Sequence, residues 1–430
     1  MDEILHAREV RLYRVKEWLN HFQKPIIVVK SNTPGRDKNM KEAYHLVSLY
    51  EKELQVAKII SQAYFYESSD GPYAVGIVES IEANQAKKTC MEIEESTGFG
   101  RLVDLDVYQS PRSSISRTDL GYPSRPCLLC ERPSHECSRA QRHSSSAIQE
   151  EYLRIYHHEL HCRILEIINQ SIDIELQLDN KYGLVTPTSS GSHPDMTYDL
   201  MIRAKDAILP GFMILFDLGY QAKEITSSWK EAQKVGVKME QDMFLATKGV
   251  NAYKGLIFLL GGLMVAAGYA LSHRFPFSHS FDLCAKLVAP AREAFDDMPS
   301  TFGVKAYQQH HLMGVRGEAL NGFSTVRHIL SSSYPLDCLD ESSIRRRLFH
   351  LMQCCDDTTL LKRTRSYEKY EEVRRHLQTI SLDDEEAMEE FHHLALANEW
   401  TFGGAADLLI VSIWAEQMMK FWPSTPYLTI

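Results

Sequence analysis

The sequence predicts a multidomain protein, in which an N-terminal α/β (α+β) domain precedes an all-α domain. Short apolar runs bounded by turn residues occur within the first 110 residues, and such runs are typical of β-strands. Beyond about residue 190 the apolar positions recur at helical spacing, and no convincing strand pattern remains. A chain of 430 residues is long enough for two or three domains.

In the N-terminal region we expect strands at 25–30, 63–67, 73–78 and 102–107. Helices are expected at 3–23, about 38–60 and about 81–96, and a long helix from about 147 to 178 follows the serine-rich stretch 143–146. The first strand leads into the turn SNTPGRDK and then into a helix, an order that is typical of α/β structure.

In the C-terminal region every periodic segment predicts a helix. The predicted helices are 197–218, 221–246, 254–273, 281–297, 314–333, 341–353, 365–379, 383–399 and 404–421. The segment 255–271 carries no charge and is apolar on every side, so it belongs in a protein core or in a membrane. Because a membrane span needs about 20 apolar residues, and this run is shorter and contains four glycines, we expect a central core helix that neighbouring helices approach closely.

Composition restricts the classes of function. A net charge of −10 argues against non-specific nucleic-acid binding, so an anionic ligand must be held by local basic clusters. Nine cysteines are spread unevenly and indicate reduced thiols rather than a disulfide framework. The first twenty residues are charged and amphipathic without an apolar leader run. We therefore expect a cytoplasmic protein without a membrane partner.

The strongest candidate for chemistry in the N-terminal region is the segment GFGRLVDLDVYQ at 98–109. Asp104 and Asp106 are two residues apart, so on a strand their carboxylates project from the same face. Adjacent carboxylates repel each other, which favours a divalent cation between them, and Mg²⁺ prefers oxygen ligands of this kind. The arrangement suits metal-assisted attack on a phosphate. The alternative is a solvated strand face.

Two turns could hold a phosphate. Asn32, Gly35 and Lys38 lie in the turn after the first strand, where a plain solvated loop is the alternative. A second group, Gly249, Asn251 and Lys254, lies at the start of the apolar helix, in the segment GVNAYKG. Backbone N–H groups and the helix dipole favour an anion at such a position, although a glycine turn with an asparagine cap would also explain it.

Residues 110–143 are rich in arginine, and a flexible arginine patch can bind a polyphosphate or an acidic protein. A solvated loop remains the alternative. Within this segment, Cys127, Cys130, Cys137 and His143 follow the spacing C-x2-C-x6-C-x5-H, which resembles a small zinc knuckle. Reduced cysteines that pack a loop are the alternative to zinc.

Four loops of the C-terminal region collect polar residues, at 186–196, 301–323, 356–363 and 398–409. Their candidate site residues are His193, Asp195, Arg316, Glu318, Asp356, Asp357, Lys362, Arg363, Gly403, Gly404 and Asp407. Helix caps would explain any one loop. Together with GVNAYKG, the four loops indicate convergence on one anionic ligand, with acids that hold a metal and cations that hold phosphates.

Residues 1 to about 160 resemble the citrate lyase holo-acyl-carrier-protein synthase family, also called apo-citrate lyase phosphoribosyl-dephospho-CoA transferase. The motifs that carry the resemblance are N-x-P-G-x-x-K at 32–38, G-R-L-V-D-L-D-V at 100–107, I-S-R-x-D-L-G at 115–121, R-x-C-L-L-C at 125–130 and C-S-R-x-x-R-H at 137–143. The resemblance implies a nucleotidyltransferase-type fold for this domain, which we place at 1–160.

Residues 161–430 resemble the triphosphoribosyl-dephospho-CoA synthase family. The matching features are the histidine-aspartate corner at 193–195, T-K-G-V-N-A-Y-K-G at 247–255, R-G-E-A at 316–319, D-D-T-T-L-L at 356–361 and G-G-x-A-D-L-L at 403–409. The chain departs from the family in three places. Tyr253 stands where the family usually has the histidine of T-H-K-G, Thr401 and Phe402 replace a serine-proline, and the corner at 186–196 departs from T-P-K-P-G-L-V-D.

The two resemblances imply that the chain makes and attaches the citrate lyase prosthetic group. The synthase would join ATP and dephospho-CoA with loss of adenine, using Glu318, Asp356 and Asp357 as candidate catalytic acids. The transferase would use Mg²⁺ on Asp104 and Asp106 to attach the product to a serine of the citrate lyase acyl carrier (gamma) subunit, with loss of pyrophosphate. The implied substrate-binding residues of the transferase are Asn32, Gly35, Lys38, Gly100, Arg101 and Arg117. Those of the synthase are His193, Asp195, Gly249, Asn251, Lys254, Gly255, Arg316, Lys362, Arg363, Gly403, Gly404 and Asp407.

Two alternatives remain open at this point. The first is the equivalent malonate decarboxylase pathway, which attaches the same kind of group to a different carrier. The second is a carrier-binding protein with an inactive synthase half. An enzyme would release adenine from ATP, whereas a binding protein would not.

Overall fold

The computed structural model describes residues 2–79, 81–295, 302–331 and 340–422. The chain divides into two compact units. Unit 1 contains the residues up to Arg163 together with the end of the chain from Phe421, and unit 2 is Ile164–Lys420. Residues 296–297 and 332–333, at the ends of two predicted helices, lie outside the described residues, as does Cys338.

Unit 1 combines helices with one small sheet. Its helices are α1 (Asp2–Phe22), α2 (Lys41–Val56), α3 (Ala83–Ser96), α4 (Ser134–Arg139) and the first part of α5 (Ser145–Gln177). Its strands are β1 (Ile26–Ser31), β2 (Ile60–Tyr66), β3 (Tyr73–Val78) and β4 (Val103–Tyr108). All four predicted strands are present, and the short helix α4 lies in the basic segment that was expected to be a loop.

The sheet has the strand order β2-β3-β1-β4, and every neighbouring pair is antiparallel. This antiparallel sheet makes unit 1 an α+β fold, so of the predicted α/β (α+β) classes the α+β one applies. The run Ile26–Val29 is apolar at every position because β1 is buried throughout. Val15 and Leu19 of α1 pack on one face of the sheet, against a cluster that includes Ile26 and Val28, and α2 also packs against β1.

Strand β4 lies at the edge of the sheet and alternates between buried and partly exposed residues. Val103, Leu105 and Val107 are buried, whereas Asp104 and Asp106 between them are partly exposed. In the register with β1, Asp104 lies opposite Lys30. The alternation places both carboxylates on one face, as the sequence predicts.

Unit 2 is helical, and its described residues contain no strand. After the last part of α5, its helices are α6 (Tyr198–Gln221), α7 (Trp229–Thr247), α8 (Lys254–Ser272), α9 (His279–Val288), α10 (Phe302–His310), α11 (Gly314–Leu320), α12 (Ser324–Ser331), α13 (Glu341–Cys354), α14 (Thr358–Thr364), α15 (Tyr367–Thr379), α16 (Glu385–Ala397) and α17 (Gly403–Phe421). The predicted all-α architecture is confirmed.

Helix α8 is long and apolar enough to cross a membrane, but 72% of its most apolar window is buried inside the protein. Its glycines permit close packing against α6. A Cβ atom at Gly268 would overlap the carbonyl oxygen of Phe216, and a Cβ at Gly219 of α6 would overlap that of Val265. Such burial and close helix contact are typical of a core helix.

Several helix predictions differ from the structure, and two of the differences lie at candidate site residues. The predicted helix 314–333 is divided into α11 and α12, because Gly322 and Phe323 take positive φ angles of 66° and 57°. Most of the segment DDTTLLKR, which was expected to be a loop, lies in α14. The Asp357 carboxylate caps this helix, because it accepts hydrogen bonds from the Thr359 and Leu360 amides.

Candidate active sites

Unit 1 contains an open cleft of about 1190 Å³. One wall is β4 with its two aspartates, and the others come from the turn after β1 and from the basic segment 110–143. The cleft is lined by many of the predicted residues. They are Asn32, Gly35, Arg101, Asp104, Asp106 and Arg117, together with Cys127, Cys137 and His143 of the predicted zinc site. The cleft therefore brings the predicted acids and arginines together.

The Asp104 carboxylate is surrounded by donors. It accepts a hydrogen bond of 2.9 Å from the Asn32 amide and one of 3.2 Å from Arg125, and the Lys30 ammonium lies 3.4 Å away. Burial opposes its ionisation, but Lys30, Arg125 and Asn32 together outweigh burial and hold its pKa below the usual range. Asp104 is therefore an anion near neutral pH.

Asp106 has the opposite shift. Burial and the neighbouring Asp104 charge raise the pKa of its carboxyl, and Lys30 and Lys87 only partly compensate. A divalent cation that binds both carboxylates would remove the repulsion between them. The donor set of this face therefore fits Mg²⁺.

Glu94 organises the arginines of the cleft, and sequence analysis missed it. It is 3% exposed, and its carboxylate binds Arg117 at 2.8 Å and Arg125 at 2.6 Å. Its other oxygen accepts the Leu105 amide at 2.9 Å, which ties the arginines to β4. No local pattern distinguishes Glu94 from Glu92 and Glu95 in the same helix.

Two predicted phosphate ligands of unit 1 do not line the cleft. The Lys38 ammonium donates to the Thr33 carbonyl oxygen, and burial lowers its pKa. Gly100 is buried, and a Cβ there would overlap the Glu94 carbonyl oxygen. Gly100 therefore permits close backbone packing rather than contact with a ligand.

The four predicted zinc ligands converge. One ligand atom from each of Cys127, Cys130, Cys137 and His143 lies within 4.8 Å of all the others. Cys130 Sγ is 3.5 Å from Cys137 Sγ and 3.4 Å from His143 Nε2. Among the described residues this is the one Cys, His, Asp and Glu group with such convergence.

Unit 2 contains a cavity of about 410 Å³. All four polar loops and the GVNAYKG segment contribute to its lining. The predicted residues that line it are His193, Asn251, Lys254, Gly255, Arg316, Asp356, Gly403, Gly404 and Asp407. Asp195, Gly249, Glu318, Asp357, Lys362 and Arg363 are not among the residues that line it.

The carboxylates of unit 2 differ in what they contact. Both oxygens of Asp357 accept backbone N–H groups, from Thr359 and Leu360 at the start of α14 and from Ala405 at 3.0 Å in α17. The side chain is 2% exposed. Asp357 thus caps two helices, and the structure gives no support to the catalytic role predicted for it.

Glu318 is also engaged away from the cavity, where its two oxygens accept the hydroxyl and the amide of Thr325 at the start of α12. Burial, first of all, raises the pKa of Glu318. This pairing satisfies the carboxylate locally, so the structure gives no support to its predicted catalytic role either.

Four other carboxylates line the cavity, and three of them contact a cation. Glu175 binds Lys181 at 2.8 Å, Glu240 binds Lys254 at 2.7 Å, and Asp356 lies 3.4 Å from Arg374. Asp407 differs, because no cationic side chain of the described chain contacts it.

Asp407 lies against Gly255, where a Cβ would overlap its carboxylate. It accepts a hydrogen bond from the Leu256 amide. Burial, together with the nearby charges of Asp357 and Glu175, raises its pKa well above the usual value. Asp407 is therefore disposed to take up a proton.

His193 connects two of the converging loops. Its Nε2 lies 2.9 Å from the Thr401 hydroxyl, and its Nδ1 lies 3.3 Å from an Arg363 nitrogen. Burial, followed by the Arg363 charge, lowers the His193 pKa to about 4. The ring is therefore neutral at pH 7, and its Nδ1 can accept a hydrogen bond from Arg363.

Sequence analysis missed two features of this cavity. Lys181 and Glu175 form a buried ion pair in its wall. The Tyr253 hydroxyl is buried at the cavity without a hydrogen-bond partner among the described residues.

Comparison with known proteins gives one family for each part of the chain. Residues 1–159 match the family of apo-citrate lyase phosphoribosyl-dephospho-CoA transferase, and residues 162–426 match that of ATP:dephospho-CoA triphosphoribosyl transferase. The chain is 26% identical over 455 residues to Protein CitXG of Leuconostoc mesenteroides subsp. cremoris, which covers 97% of both chains.

Two further relatives show the same division. The chain is 26% identical over 445 residues to Protein CitXG of Haemophilus influenzae, covering 96% of this chain and 95% of the relative. It is 31% identical over 262 residues to a probable 2-(5''-triphosphoribosyl)-3'-dephosphocoenzyme-A synthase of Lactiplantibacillus plantarum, covering 56% of this chain and 91% of the relative.

Proposed function

Because the chain belongs to the ATP:dephospho-CoA triphosphoribosyl transferase family and carries an apo-citrate lyase phosphoribosyl-dephospho-CoA transferase domain before it, we propose that the unit 2 cavity synthesises the citrate lyase prosthetic group and that the unit 1 cleft attaches it. Both domains are transferases, and the chain is bifunctional in this pathway. The domain boundary that we propose is residue 160. The main support for the site assignments is that most members of each predicted set line one cleft or cavity.

In the first reaction, the 2′-hydroxyl of dephospho-CoA attacks C1′ of the ATP ribose. The bond from C1′ to adenine breaks and a new C1′–O bond forms, giving 2′-(5″-triphosphoribosyl)-3′-dephospho-CoA and adenine. The reacting carbon gains positive charge in the transition state, as in glycoside chemistry. Such a reaction requires a base for the hydroxyl and a carboxylate near the carbon.

We assign the base to Asp407. It faces the cavity, and no cationic side chain of the described residues contacts it. Its carboxylate takes the proton that leaves the attacking hydroxyl, and that proton then passes to the departing adenine, which leaves Asp407 ionised again. Asp356 also faces the cavity and is the carboxylate that stabilises the positive carbon. Asp357 is a positioning residue. It accepts the Thr359 amide at the start of α14, next to Asp356, and the Ala405 amide at the start of α17, the helix that carries Asp407.

The phosphates of ATP require cations. Lys254 and Arg316 line the cavity, and Lys254 starts α8, where Asn251 accepts its amide at 3.2 Å. We assign the end of the triphosphate to Arg363, which does not line the cavity but contacts the cavity-lining His193. The unpartnered Tyr253 hydroxyl is a further donor for the substrate.

In the second reaction, a serine hydroxyl of the citrate lyase acyl carrier subunit attacks the α-phosphate of the triphosphoribosyl group. The bond between the α- and β-phosphates breaks, so that a phosphodiester forms and pyrophosphate leaves. Asp104 and Asp106 would hold Mg²⁺, which supplies charge neutralisation at the phosphates when it is bound. Arg101 and Arg117 bind the leaving pyrophosphate, and Asn32 orients Asp104. This chemistry is of nucleotidyltransferase type.

We propose a cytoplasmic enzyme with two metals, Mg²⁺ for the chemistry and a structural Zn²⁺ at the Cys/His group. ATP and dephospho-CoA are the substrates of the synthase part. The partner of the transferase part is the citrate lyase acyl carrier subunit.

The test is one reaction mixture of the full-length protein with ATP, dephospho-CoA, Mg²⁺ and citrate lyase carrier subunit. We expect free adenine, measured by chromatography, and a heavier carrier, measured by mass spectrometry. A parallel mixture contains the malonate decarboxylase carrier. Adenine with modification of that carrier alone would contradict the citrate assignment, and the absence of adenine would contradict the synthase assignment.

A further inference from the structure

We propose that Cys127, Cys130, Cys137 and His143 bind one zinc ion, and that this ion holds the arginines of the unit 1 cleft in place. The proposed zinc site rests on geometry alone. The proposed effect of zinc on the cleft arginines rests on the transferase function proposed for the cleft.

The separations of the ligand atoms fit a tetrahedral site. Ligands about 2.0–2.3 Å from one zinc ion in tetrahedral geometry lie roughly 3.5–3.8 Å from each other. The Cys130–Cys137 and Cys130–His143 separations are 3.5 and 3.4 Å, and all four ligand atoms lie within 4.8 Å of one another. Little movement would close this group around a metal.

The backbone around the group is organised as a knuckle. The Cys127 amide donates to the Arg132 carbonyl oxygen at 2.7 Å, and the Arg132 amide donates to the Cys130 sulfur. An N–H group directed at a sulfur stabilises a thiolate ligand. Helix α4 then supplies Cys137, and the turn 140–142 after the helix leads to His143.

The composition of the group distinguishes zinc from its competitors. Three sulfurs and one imidazole nitrogen in a closed tetrahedral set are typical of structural zinc, whereas iron–sulfur clusters usually take four cysteines. A disulfide would use only two of the cysteines and would leave the third and His143 without a reason to converge. The fourfold convergence therefore favours one metal ion.

Two connections link this knuckle to the cleft. The Arg101 guanidinium donates to the Cys127 carbonyl oxygen at 3.1 Å. Arg125, two residues before Cys127, donates to the Val103 carbonyl oxygen at 2.6 Å and to Asp104 at 3.2 Å. Loss of the metal would release the peptide that positions both arginines, while the strand that carries Asp104 would remain.

The first experiment measures zinc in the full-length protein, purified without chelators from cells grown with added zinc. We expect about one zinc per chain in the native protein and less than about a tenth in Cys130→Ser. The matched control is Cys162→Ser, since Cys162 is an exposed cysteine of the same unit outside the group, and it should retain the metal. His143→Cys keeps four ligands and should retain it as well.

Replacement of zinc by Co²⁺ adds a spectroscopic readout, because thiolate ligands give charge-transfer absorption in the near ultraviolet and a tetrahedral site gives intense visible bands. A native protein with less than a tenth of a zinc per chain would contradict the site, and so would a Cys130→Ser variant with native zinc content. Adenine release by Cys130→Ser shows whether the rest of the chain is folded.

The second experiment tests the coupling to the cleft. Cys130→Ser should label the carrier at least about tenfold more slowly and should show a raised KM for the triphosphoribosyl substrate, with adenine release unchanged. Unchanged labelling in zinc-free protein would overturn the coupling. If the native protein contains zinc but never labels a carrier, the transferase assignment fails together with the coupling, while the zinc site stands.

Discussion

Unit 1 carries its two candidate catalytic carboxylates two residues apart on one strand, where Lys30 and Arg125 pair with Asp104. Unit 2 brings Asp356 and Asp407 together from two separate segments, and Asp407 contacts no cation in the described part of the chain. The first arrangement keeps Asp104 charged and able to hold a metal, whereas the second raises the pKa of Asp407. Under the proposed function, carboxylates of one chemical type would receive different roles from their neighbours, as a metal ligand in unit 1 and as a proton acceptor in unit 2.

The largest effect is expected for Asp104→Asn. It removes one charge of the metal-binding pair and should reduce carrier labelling by at least about 10³-fold, since several kcal/mol of charge neutralisation is lost. Adenine release should stay within about twofold of native. Mass spectrometry of the carrier and chromatography of adenine measure both in one sample. Native labelling would show that Asp104 holds no essential metal.

Asp407→Asn is the matching change in unit 2. Loss of a general base should reduce adenine release by about 10²–10⁴-fold. Transfer should be unaffected when purified triphosphoribosyl-dephospho-CoA is supplied. Asp206→Asn is the control, because Asp206 is exposed and does not line the cavity. If the control loses as much adenine release as Asp407→Asn, the assignment of the base is wrong.

Asp357→Ala tests whether this buried carboxylate is a cap or a catalyst. It leaves backbone N–H groups of α14 and α17 without an acceptor, and it should lower the free energy of unfolding by about 2–4 kcal/mol. Urea titration followed by circular dichroism measures this change. At low temperature, where the variant is folded, adenine release should remain within about tenfold of native. Native stability with abolished adenine release would instead favour the catalytic role.

A pH effect on stability is expected from His45 in unit 1, which is buried and forms a 2.8 Å hydrogen bond with the Tyr156 hydroxyl. Burial lowers its pKa to about 4, below the unfolded value of about 6.5. Between these values the unfolded state binds more protons, so stability falls as the pH decreases through this range.

For this one group the loss from pH 7 to pH 5 is about 2 kcal/mol. Other groups titrate as well, so the measurement compares the native protein with His45→Gln by urea titration at both pH values. The variant should show the smaller decrease between pH 7 and pH 5. Equal decreases would contradict a neutral buried histidine.

The smallest effect is expected for Glu95→Gln. Glu95 binds Arg117 at 2.6 Å, but its side chain is 64% exposed, and an exposed ion pair contributes roughly 0.2–1 kcal/mol. Carrier labelling should change by less than about threefold. Glu94→Gln, at the buried partner of the same arginine, should reduce labelling more than tenfold. Equal effects of the two substitutions on carrier labelling would contradict the claim that the buried Glu94 ion pair matters more than the exposed Glu95 ion pair.

The sequence predicted those features that are written in local patterns. The strand alternation placed Asp104 and Asp106 on one face, and the uniformly apolar run identified α8 as a core helix. The cysteine spacing also predicted the convergence of four ligands. The strand alternation fixes the face on which a side chain lies, and an uninterrupted apolar segment must be buried, so both features can be predicted from neighbouring residues alone.

Other features depend on contacts between distant segments. The antiparallel strand order could not be predicted from apolar runs, because both parallel and antiparallel strands have them. Asp357 lies beside Asp356 in sequence, yet it caps a helix that begins almost fifty residues later. The ion pairs of Glu94 and of Lys181 are buried by tertiary packing, which no local pattern records.

The most direct test of two separate sites acting in sequence is carrier labelling by a mixture of Asp104→Asn and Asp407→Asn proteins. Each variant alone should fail to label the carrier from ATP and dephospho-CoA. The mixture should restore labelling, since the first variant makes the intermediate and the second attaches it. An unlabelled carrier in the mixture would contradict the assignment of one reaction to each site.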